Sequence, residues 1–368
     1  MTVSISNKVP GIKRTLAGLG VLLMLATWVS HAAATNAVTP PAEQSARLSA
    51  ADGRLLSERG RWYLSFDNDL FAPKNRDQDY TYGINFAYTS DSIGRQPLPE
   101  LIAHLDDSLG LEGERRAKTL EFGLYGFTPA NVESSEADQE DRPYASLVYV
   151  STSSESMDWT NQVVLRSQLT LGVLGLDLVG NVQNLTHRTT NGTEAGGWSH
   201  QISDGGEPTF RYSLARQQLV ETGLLHTELK HTLAASVGYL TEVSWSLGVR
   251  TGNISTTWHS FKPEVKNYAE SLASQKSKTP ENYFWAGISV KARAYNAFLQ
   301  GQLRESDVVY TYDELRPFVL EAWAGYTHEF ASGYHINYGL RGHTSEIREG
   351  KGDRNVIWGG IMVGKSLI

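Results

Sequence analysis

The feature that most constrains the fold of this chain is a two-residue alternation of apolar and polar side chains, repeated in segment after segment from residue 61 onward. In Trp62–Asp67 (WYLSFD) every second side chain is apolar, and the same period follows in Lys118–Phe127, Thr160–Val173 and Glu228–Tyr239. A period of two over about ten residues is typical of a β-strand with one apolar and one polar face. The sequence therefore predicts an all-β fold.

A soluble β-sandwich also alternates, so further observations are needed to choose between a sandwich and a membrane barrel. Charged residues such as Arg166, Lys230 and Arg250 stand on the polar face in mid-strand, and aromatic residues are frequent near the predicted strand ends. Both features favour a transmembrane antiparallel β-barrel, whose strand number in a bacterial single chain is even. The predicted strands number about twelve, starting near Arg61, Tyr80, Lys118, Pro143, Thr160, Glu207, His226, Thr241, Tyr283, Pro317, Gly333 and Arg354.

The N-terminal region has the pattern of an export signal. Lys8, Lys13 and Arg14 precede an apolar run over 15–29, and small residues follow at Ser30–Ala34. This pattern predicts a signal peptide over 1–34, a flexible lead-in over 35–60 and a barrel over 61–368. An N-terminal anchor is the less favoured alternative, because the run is short for a spanning helix. The cell outer membrane is the predicted location.

Composition removes several function classes. The formal net charge of -7 gives no basic patch of the kind that binds nucleic acid. The chain has no Cys, which excludes thiol catalysis and cysteine metal sites.

Two segments have helical rather than strand periodicity. Gln96–Leu109 has leucine and isoleucine at helical spacing, and Leu174–Asn191 carries Leu178, Val182 and Leu185 on one stripe. If the first strand rises from the periplasm, the loops after strands one, three and five lie at the outer end. The residues of 67–69, Thr81, the 128–141 loop and the second helix would then meet at one mouth. Topology assigns 92–116 and 253–282 to the periplasmic side, and the sequence indicates no particular role for them.

Four short motifs then resemble those of a known family, the outer-membrane lipid A 3′-O-deacylases, which are twelve-stranded barrels. They occur in the family's order and span most of the predicted barrel: Asn68-Asp69, Asp79–Gly83 (DYTYG), Asp141–Ala145 (DRPYA), and Val182–Arg188 (VQNLTHR) followed by Gly197-Trp198.

The resemblance implies a calcium-dependent ester hydrolase that removes the 3′-linked acyloxyacyl group from lipid A of lipopolysaccharide in the outer leaflet. It implies His187 as general base, Asn68 and Asp69 in the catalytic cluster, and Thr81 in the pocket. Asp69 and Asp67 are the expected Ca²⁺ ligands, and a monomer is expected. A neutral imidazole can accept a proton from water near pH 7, and calcium prefers oxygen ligands. No G-x-S-x-G elbow is present to suggest a serine nucleophile.

The chain departs from the family at three places. The segment 128–140 contains no Lys, although the family offers a lysine there as an oxyanion partner, and Glu194 follows His187 without a neighbouring tyrosine. The last residue is Ile368 rather than an aromatic residue.

Three other functions stay open at this stage. They are a catalytically inert barrel, a pore and an outer-membrane phospholipid esterase. Outside its motif, His187 would be read as a surface or packing residue, and 67–69 as an ordinary strand end with a turn. A small barrel filled with charged side chains would conduct poorly, which disfavours the pore.

Overall fold

A computed structural model describes residues 60–72, 79–90, 93, 96–111, 114–158, 160–190, 192–266 and 280–366. The predicted signal peptide, and the lead-in up to residue 59, lie outside the described residues. Twelve antiparallel strands form a closed barrel in which β1 pairs with β12, as predicted. The strands are β1 (Arg61–Asn68), β2 (Asp79–Thr89), β3 (Glu114–Thr128), β4 (Ala145–Asp158), β5 (Val163–Leu174), β6 (Glu207–Val220), β7 (Thr227–Gly238), β8 (Leu240–Asn253), β9 (Glu281–Asn296), β10 (Phe318–Glu329), β11 (Tyr334–His343) and β12 (Val356–Ser366).

The alternation in the sequence becomes the two faces of the wall. On β1, Tyr63, Ser65 and Asp67 are buried and point into the lumen, whereas Leu64 and Phe66 are exposed on the outward face. Because side chains alternate along a strand, the cross-strand pairing carries this assignment from β1 around the barrel. The outward face is the one that meets the hydrocarbon of the membrane.

The lumen is filled by protein. The segment 254–266, between β8 and β9, enters it from the periplasmic end. Its Lys262 pairs with Glu155 on β4, and Nζ of its Lys266 lies 3.0 Å from the carboxylate of Asp67 on β1. These partners stand on different sides of the barrel, so the segment crosses the lumen. This finding gives a role to a stretch for which the sequence predicted none, and it disfavours the pore.

The upper part of the lumen contains an aromatic cluster. A one-turn helix, α3 (Ala297–Gln300), places Phe298 against the rings of Tyr125, Phe127 and Tyr239 at centroid distances of 5.1–5.7 Å. The packed aromatic rings therefore fill the lumen on the outer side of the Lys262–Glu155 ion pair.

Two longer helices lie on the outward face of the wall. The first, α1 (Pro97–Ser108), follows β2, and the second, α2 (Asp177–Thr190), follows β5. Both helices were predicted from their periodicity, with bounds that differ by a few residues at the ends. Among the described residues, no helix is long and apolar enough to cross a membrane.

Candidate functional site

The outer end of the wall at β2 to β4 forms the seat of α2. Val179 is fully buried there, in a cluster that includes Tyr82 and the outward residues Ile84, Leu124 and Val148. The Tyr82 hydroxyl also donates a hydrogen bond to the carbonyl oxygen of Val179. The polar motif on α2 is thus held against the outside of the barrel, and not over its lumen.

The chain after α2 folds back and fastens the helix. Asn184 accepts a hydrogen bond from the Ala195 amide at 2.7 Å and donates one to the Ala195 carbonyl at 3.1 Å. The Trp198 indole donates to Oε1 of Gln183 at 2.7 Å. A Cβ atom at Gly180 would lie 2.6 Å from the Trp198 ring, so only glycine permits this approach. The Gln183, Asn184 and Trp198 side chains of the motif thus hold α2 against the segment that follows it.

His187 occupies the last turn of α2 and is half-buried. Its Nδ1 contacts the backbone carbonyl of Thr193. A carbonyl oxygen can only accept, so Nδ1 carries the hydrogen in this contact and Nε2 is left as the acceptor of a neutral imidazole. In that tautomer Nε2 can accept a proton.

An acidic residue also lies near His187. Glu194 forms a bidentate ion pair with Arg188, with both nitrogen–oxygen distances at 2.8 Å. The hydrogen bond from Arg188 lowers the pKa of the Glu194 carboxyl, and a positive charge on the nearby imidazole would act in the same direction. Although Glu194 has no tyrosine beside it in the sequence, the fold brings it into electrostatic reach of the imidazole.

Asn68 and Asp69 stand where β1 ends. The Asn68 side-chain amide donates to the Thr81 carbonyl at 2.6 Å, and its Oδ1 accepts from the Leu70 amide at 2.6 Å. It thereby caps a short 3-10 helix, Asp69–Phe71, in which Asp69 is buried. These contacts fix both residues at the outer end of the first hairpin.

Thr81 is joined to Asn68 through its backbone rather than its side chain. It lies at a bulge between Tyr80 and Tyr82, and its buried hydroxyl lies 2.7 Å from that of Thr128. The fold therefore brings Thr81 to the predicted cluster, but its hydroxyl is engaged with β3.

Asp67 does not fit the predicted metal role. Its side chain points into the lumen, where its carboxylate forms an ion pair with the Lys266 ammonium. A calcium ion at the same oxygens would have to displace a buried cation. Asp69 offers a carboxylate and Asn68 a carbonyl oxygen, which are donors of the type that calcium prefers. Within the described ranges, no group of three or more His, Cys, Asp or Glu residues is placed to hold a metal ion.

The pieces of the predicted site share one end of the wall. Asn68 pairs with Tyr82 across the first hairpin, and Tyr82 contacts α2. His187 lies eight residues beyond Val179, about 12 Å along the helix axis at the usual rise of an α-helix. Asn68 and α2 therefore both adjoin Tyr82 at the outer end of the wall, whereas the Asp69–Phe71 helix packs against β12 and β2. His187 lies farther along α2.

Sequence reasoning missed an ion cluster at the outer rim. Nε of Arg354 lies 3.0 Å from Asp79, and the same guanidinium binds Asp141. Arg142 lies 3.9 Å from Asp79 and 3.7 Å from Glu346. Arg354 thus ties together the first residues of the DYTYG and DRPYA motifs. Its separation from both in sequence left no local signal.

The outer loop over 128–141 contains no lysine, but it receives one from elsewhere. Nζ of Lys351, from the loop between β11 and β12, lies 2.9 Å from the Asp138 carboxylate. Both side chains lie at the outer surface, and the ion pair lowers the pKa of Asp138.

Comparison with known proteins places the chain in a family. The family model described as outer membrane protein LpxR matches residues 21–366. The solved structure of LpxR from Salmonella typhimurium is similar, with a TM-score of 0.67 and 19% identity over 83% of this chain and 99% of that one. The β domain of the Bordetella autotransporter BrkA is more distant, with a TM-score of 0.38 and 11% identity over 84% of this chain and 99% of that one. No curated protein matches the sequence. The chain has an outer-membrane lipid A deacylase fold and belongs to the family of outer membrane protein LpxR.

Proposed function

We propose that this protein is an ester hydrolase that removes the 3′-linked acyloxyacyl group from lipid A in the outer leaflet. The observation that carries the proposal is the His187 imidazole, whose Nδ1 is held by the Thr193 carbonyl so that Nε2 is the acceptor. The family supports the substrate class. The protein is proposed to act as a monomer on lipopolysaccharide within its own membrane.

The exposed side of α2 supports a lipid substrate that arrives from the membrane plane. Leu178 and Leu185, seven residues apart and hence on one helical stripe, are 48% and 60% exposed. Leu70, beside Asp69, is 57% exposed. Apolar side chains around a polar cluster suit a substrate whose ester joins sugar to acyl chain.

The proposed reaction is direct attack by water. Nε2 of His187 takes a proton from water as its oxygen attacks the ester carbonyl carbon, giving a tetrahedral intermediate. The bond between that carbon and the sugar oxygen then breaks, and the imidazolium returns the proton to the departing oxygen. The products are a free acyloxyacyl acid and a sugar hydroxyl. The Glu194 carboxylate favours the imidazolium that forms between the two steps, because opposite charges attract.

Calcium is the proposed cofactor, and Asp69 and Asn68 are the residues that would hold it. A bound cation supplies positive charge toward the ester carbonyl oxygen. The remaining oxygen donors would come from backbone carbonyls, water or the substrate.

The direct test is hydrolysis by the purified barrel. Incubation with lipopolysaccharide and calcium should release an acyloxyacyl group, seen by mass spectrometry of lipid A. Unchanged lipid A with consumption of glycerophospholipid would overturn this substrate and favour the phospholipid esterase. Hydrolysis of neither would favour the inert barrel.

Paired aspartate variants test the calcium ligands. Asp69→Asn should raise the calcium concentration needed for half-maximal activity by about tenfold or more, because loss of one carboxylate weakens the site by roughly 1.4 kcal/mol or more. Asp67→Asn should leave that concentration unchanged per folded molecule, because its carboxylate binds Lys266. Folded barrel is scored by heat-modifiable mobility. The reverse order of effects would contradict the assignment.

A further inference from the structure

The outward face of the wall at β4 and β5 is polar in a region where a barrel is normally apolar. Ser154 and Ser167 form a cross-strand pair, and Ser156 follows on β4. Their neighbours Glu155 and Arg166 point into the lumen, where they contact each other. The three serines therefore point outward, yet each is at most 9% exposed.

The helix α1 covers these serines. Ile102 is fully buried against the outward residues Leu169 and Tyr212. The Asp106 carboxylate accepts hydrogen bonds from Ser167 at 2.8 Å and from the Tyr212 hydroxyl at 3.0 Å. A buried carboxylate is costly without such partners, so the polar wall and the acidic helix require each other.

The exposed side of α1 is also largely polar. Glu100, His104, Asp107 and Ser108 are exposed along one side of the helix, with Leu101 beside them. By contrast, the outward residues elsewhere on the wall include exposed Phe122, Ile288 and Leu320. Ionised side chains are costly against hydrocarbon, so acyl chains do not suit this side of α1.

The height of α1 follows from the register of the strands. One row of cross-strand neighbours begins with Trp62, at the periplasmic end of β1, and rises in six steps to Val237, at the outer end of β7. Thr152 is reached after three steps and Leu169 after four. The row runs from the periplasmic end of the wall to its outer end, and Thr152 and Leu169 are about halfway along it. They therefore lie near the middle of the apolar band, which is about 25 Å tall in such barrels. The three serines lie on its periplasmic side, at the depth of the inner leaflet.

We propose that α1 takes the place of the inner-leaflet acyl chains along β4 and β5, so that headgroups and water reach toward mid-membrane there and the bilayer is thinned. The occupant of the exposed side of α1 is the headgroup layer itself. The thinned sector lies below the seat of α2, since the two helices share β3 and β4. The proposal does not depend on the hydrolase activity.

Because the native chain contains no Cys, single cysteines report this surface directly. Spin labels are placed at Asp107→Cys on α1, at Ile288→Cys on the far wall and at Leu225→Cys in the 221–226 periplasmic turn, in vesicles of phosphatidylethanolamine and phosphatidylglycerol. The label at 107 should collide with a water-soluble nickel chelate as often as the label at 225. The label at 288 should collide mainly with oxygen dissolved in hydrocarbon. Oxygen-dominated collisions at 107 would overturn the proposal.

A second cysteine distinguishes a docked α1 from a detached one. Ser154→Cys lies under α1 and should react with a maleimide at least tenfold more slowly than Leu225→Cys. Adding Asp106→Ala should speed the reaction at 154 several-fold, while the barrel keeps its heat-modifiable mobility. Fast labelling at 154 in the parent chain would show that α1 does not cover the wall, and would also overturn the proposal.

Discussion

The helices α1 and α2 lie on the same outward wall, yet they present opposite surfaces to their surroundings. On α2 the seat is apolar, formed by Ile84, Leu124 and Val148, and the exposed stripe carries leucines. The wall under α1 carries serines, which face the buried Asp106 of the helix, and the exposed side of α1 carries acidic residues. Helical periodicity alone therefore does not determine the surroundings of a docked helix. The polarity of its buried side and of its exposed side has to be considered as well.

The two helices are also fastened differently. The segment that follows α2 folds back and binds the middle of the helix, through Asn184 and through the hydrogen bond from Trp198 to Gln183. Contacts with the wall itself hold α1, through Asp106 and Ile102. A helix that is held by a neighbouring segment can keep a reactive side chain in one orientation. A helix that packs directly on the wall mainly covers the wall.

The largest expected effect contrasts two histidines, one on each helix. His187→Ala on α2 should lower kcat for lipid A hydrolysis by about 10²–10⁴-fold, the usual contribution of a general base. His104→Ala on α1 should change it less than about twofold. Release of the acyloxyacyl group is followed by mass spectrometry, with equal amounts of folded barrel. Full activity in the His187 variant would remove this residue from the reaction.

A smaller effect is expected from the clip on α2. Trp198→Phe keeps the ring but removes the donor to Gln183, at an expected cost of about 1–2 kcal/mol because a buried amide oxygen loses its partner. We expect kcat/KM to fall about five- to twentyfold, since His187 is less well oriented. The matched control is Trp245→Phe, on the outward face of β8. Equal losses in both variants would show that the clip does not act on the site.

The smallest effect concerns the outer loop next to α2. A hydrogen bond to Asp307 raises the pKa of His200 above its ordinary value of 6.5. The pair therefore stabilises the loop fully below pH 6.5, and this contribution is lost as pH rises through the raised pKa. Both groups are partly exposed, so solvent limits the effect to about 0.2–1 kcal/mol.

Limited proteolysis measures this loop directly. Cleavage within 297–317 should be about two- to fivefold faster at pH 9 than at pH 6, after correction for the protease's own pH dependence. In Asp307→Asn the ratio should fall to one, because the charged partner is gone. A ratio that persists in that variant would assign the pH dependence to another group.

Much of the fold could be predicted from the sequence because strand alternation is a local signal. The twelve strands and both helices follow from periods of two and of about 3.6 residues. The side of the wall on which α2 lies could not be predicted, because the helical period shows which face of the helix is apolar but not which surface that face packs against. Asp67 and Asp69 illustrate the same limit. Strand alternation predicts that both side chains point to the same face. However, β1 ends at Asn68, and beyond that residue the alternation no longer applies.

Long-range ion pairs were the least predictable part of the candidate site. Arg354 joins Asp79 to Asp141, and Lys266 reaches Asp67 from the segment that crosses the lumen. Charged residues in irregular segments carry no periodicity, so nothing local indicates their partners. The family motifs identified which residues matter at the rim, but not what holds them.

The position of Asn68 at the seam between the first and last strands has a consequence for biogenesis. Asn68 pairs with Gly359 and Asp67 with Gly360, where a Cβ atom would lie 2.1 Å from the Asp67 carboxylate. These partners are translated almost three hundred residues later, so the first motif is completed only when the ring of strands closes. A half-made molecule therefore lacks the surroundings of the proposed site, and any activity of that site has to wait until the barrel has closed.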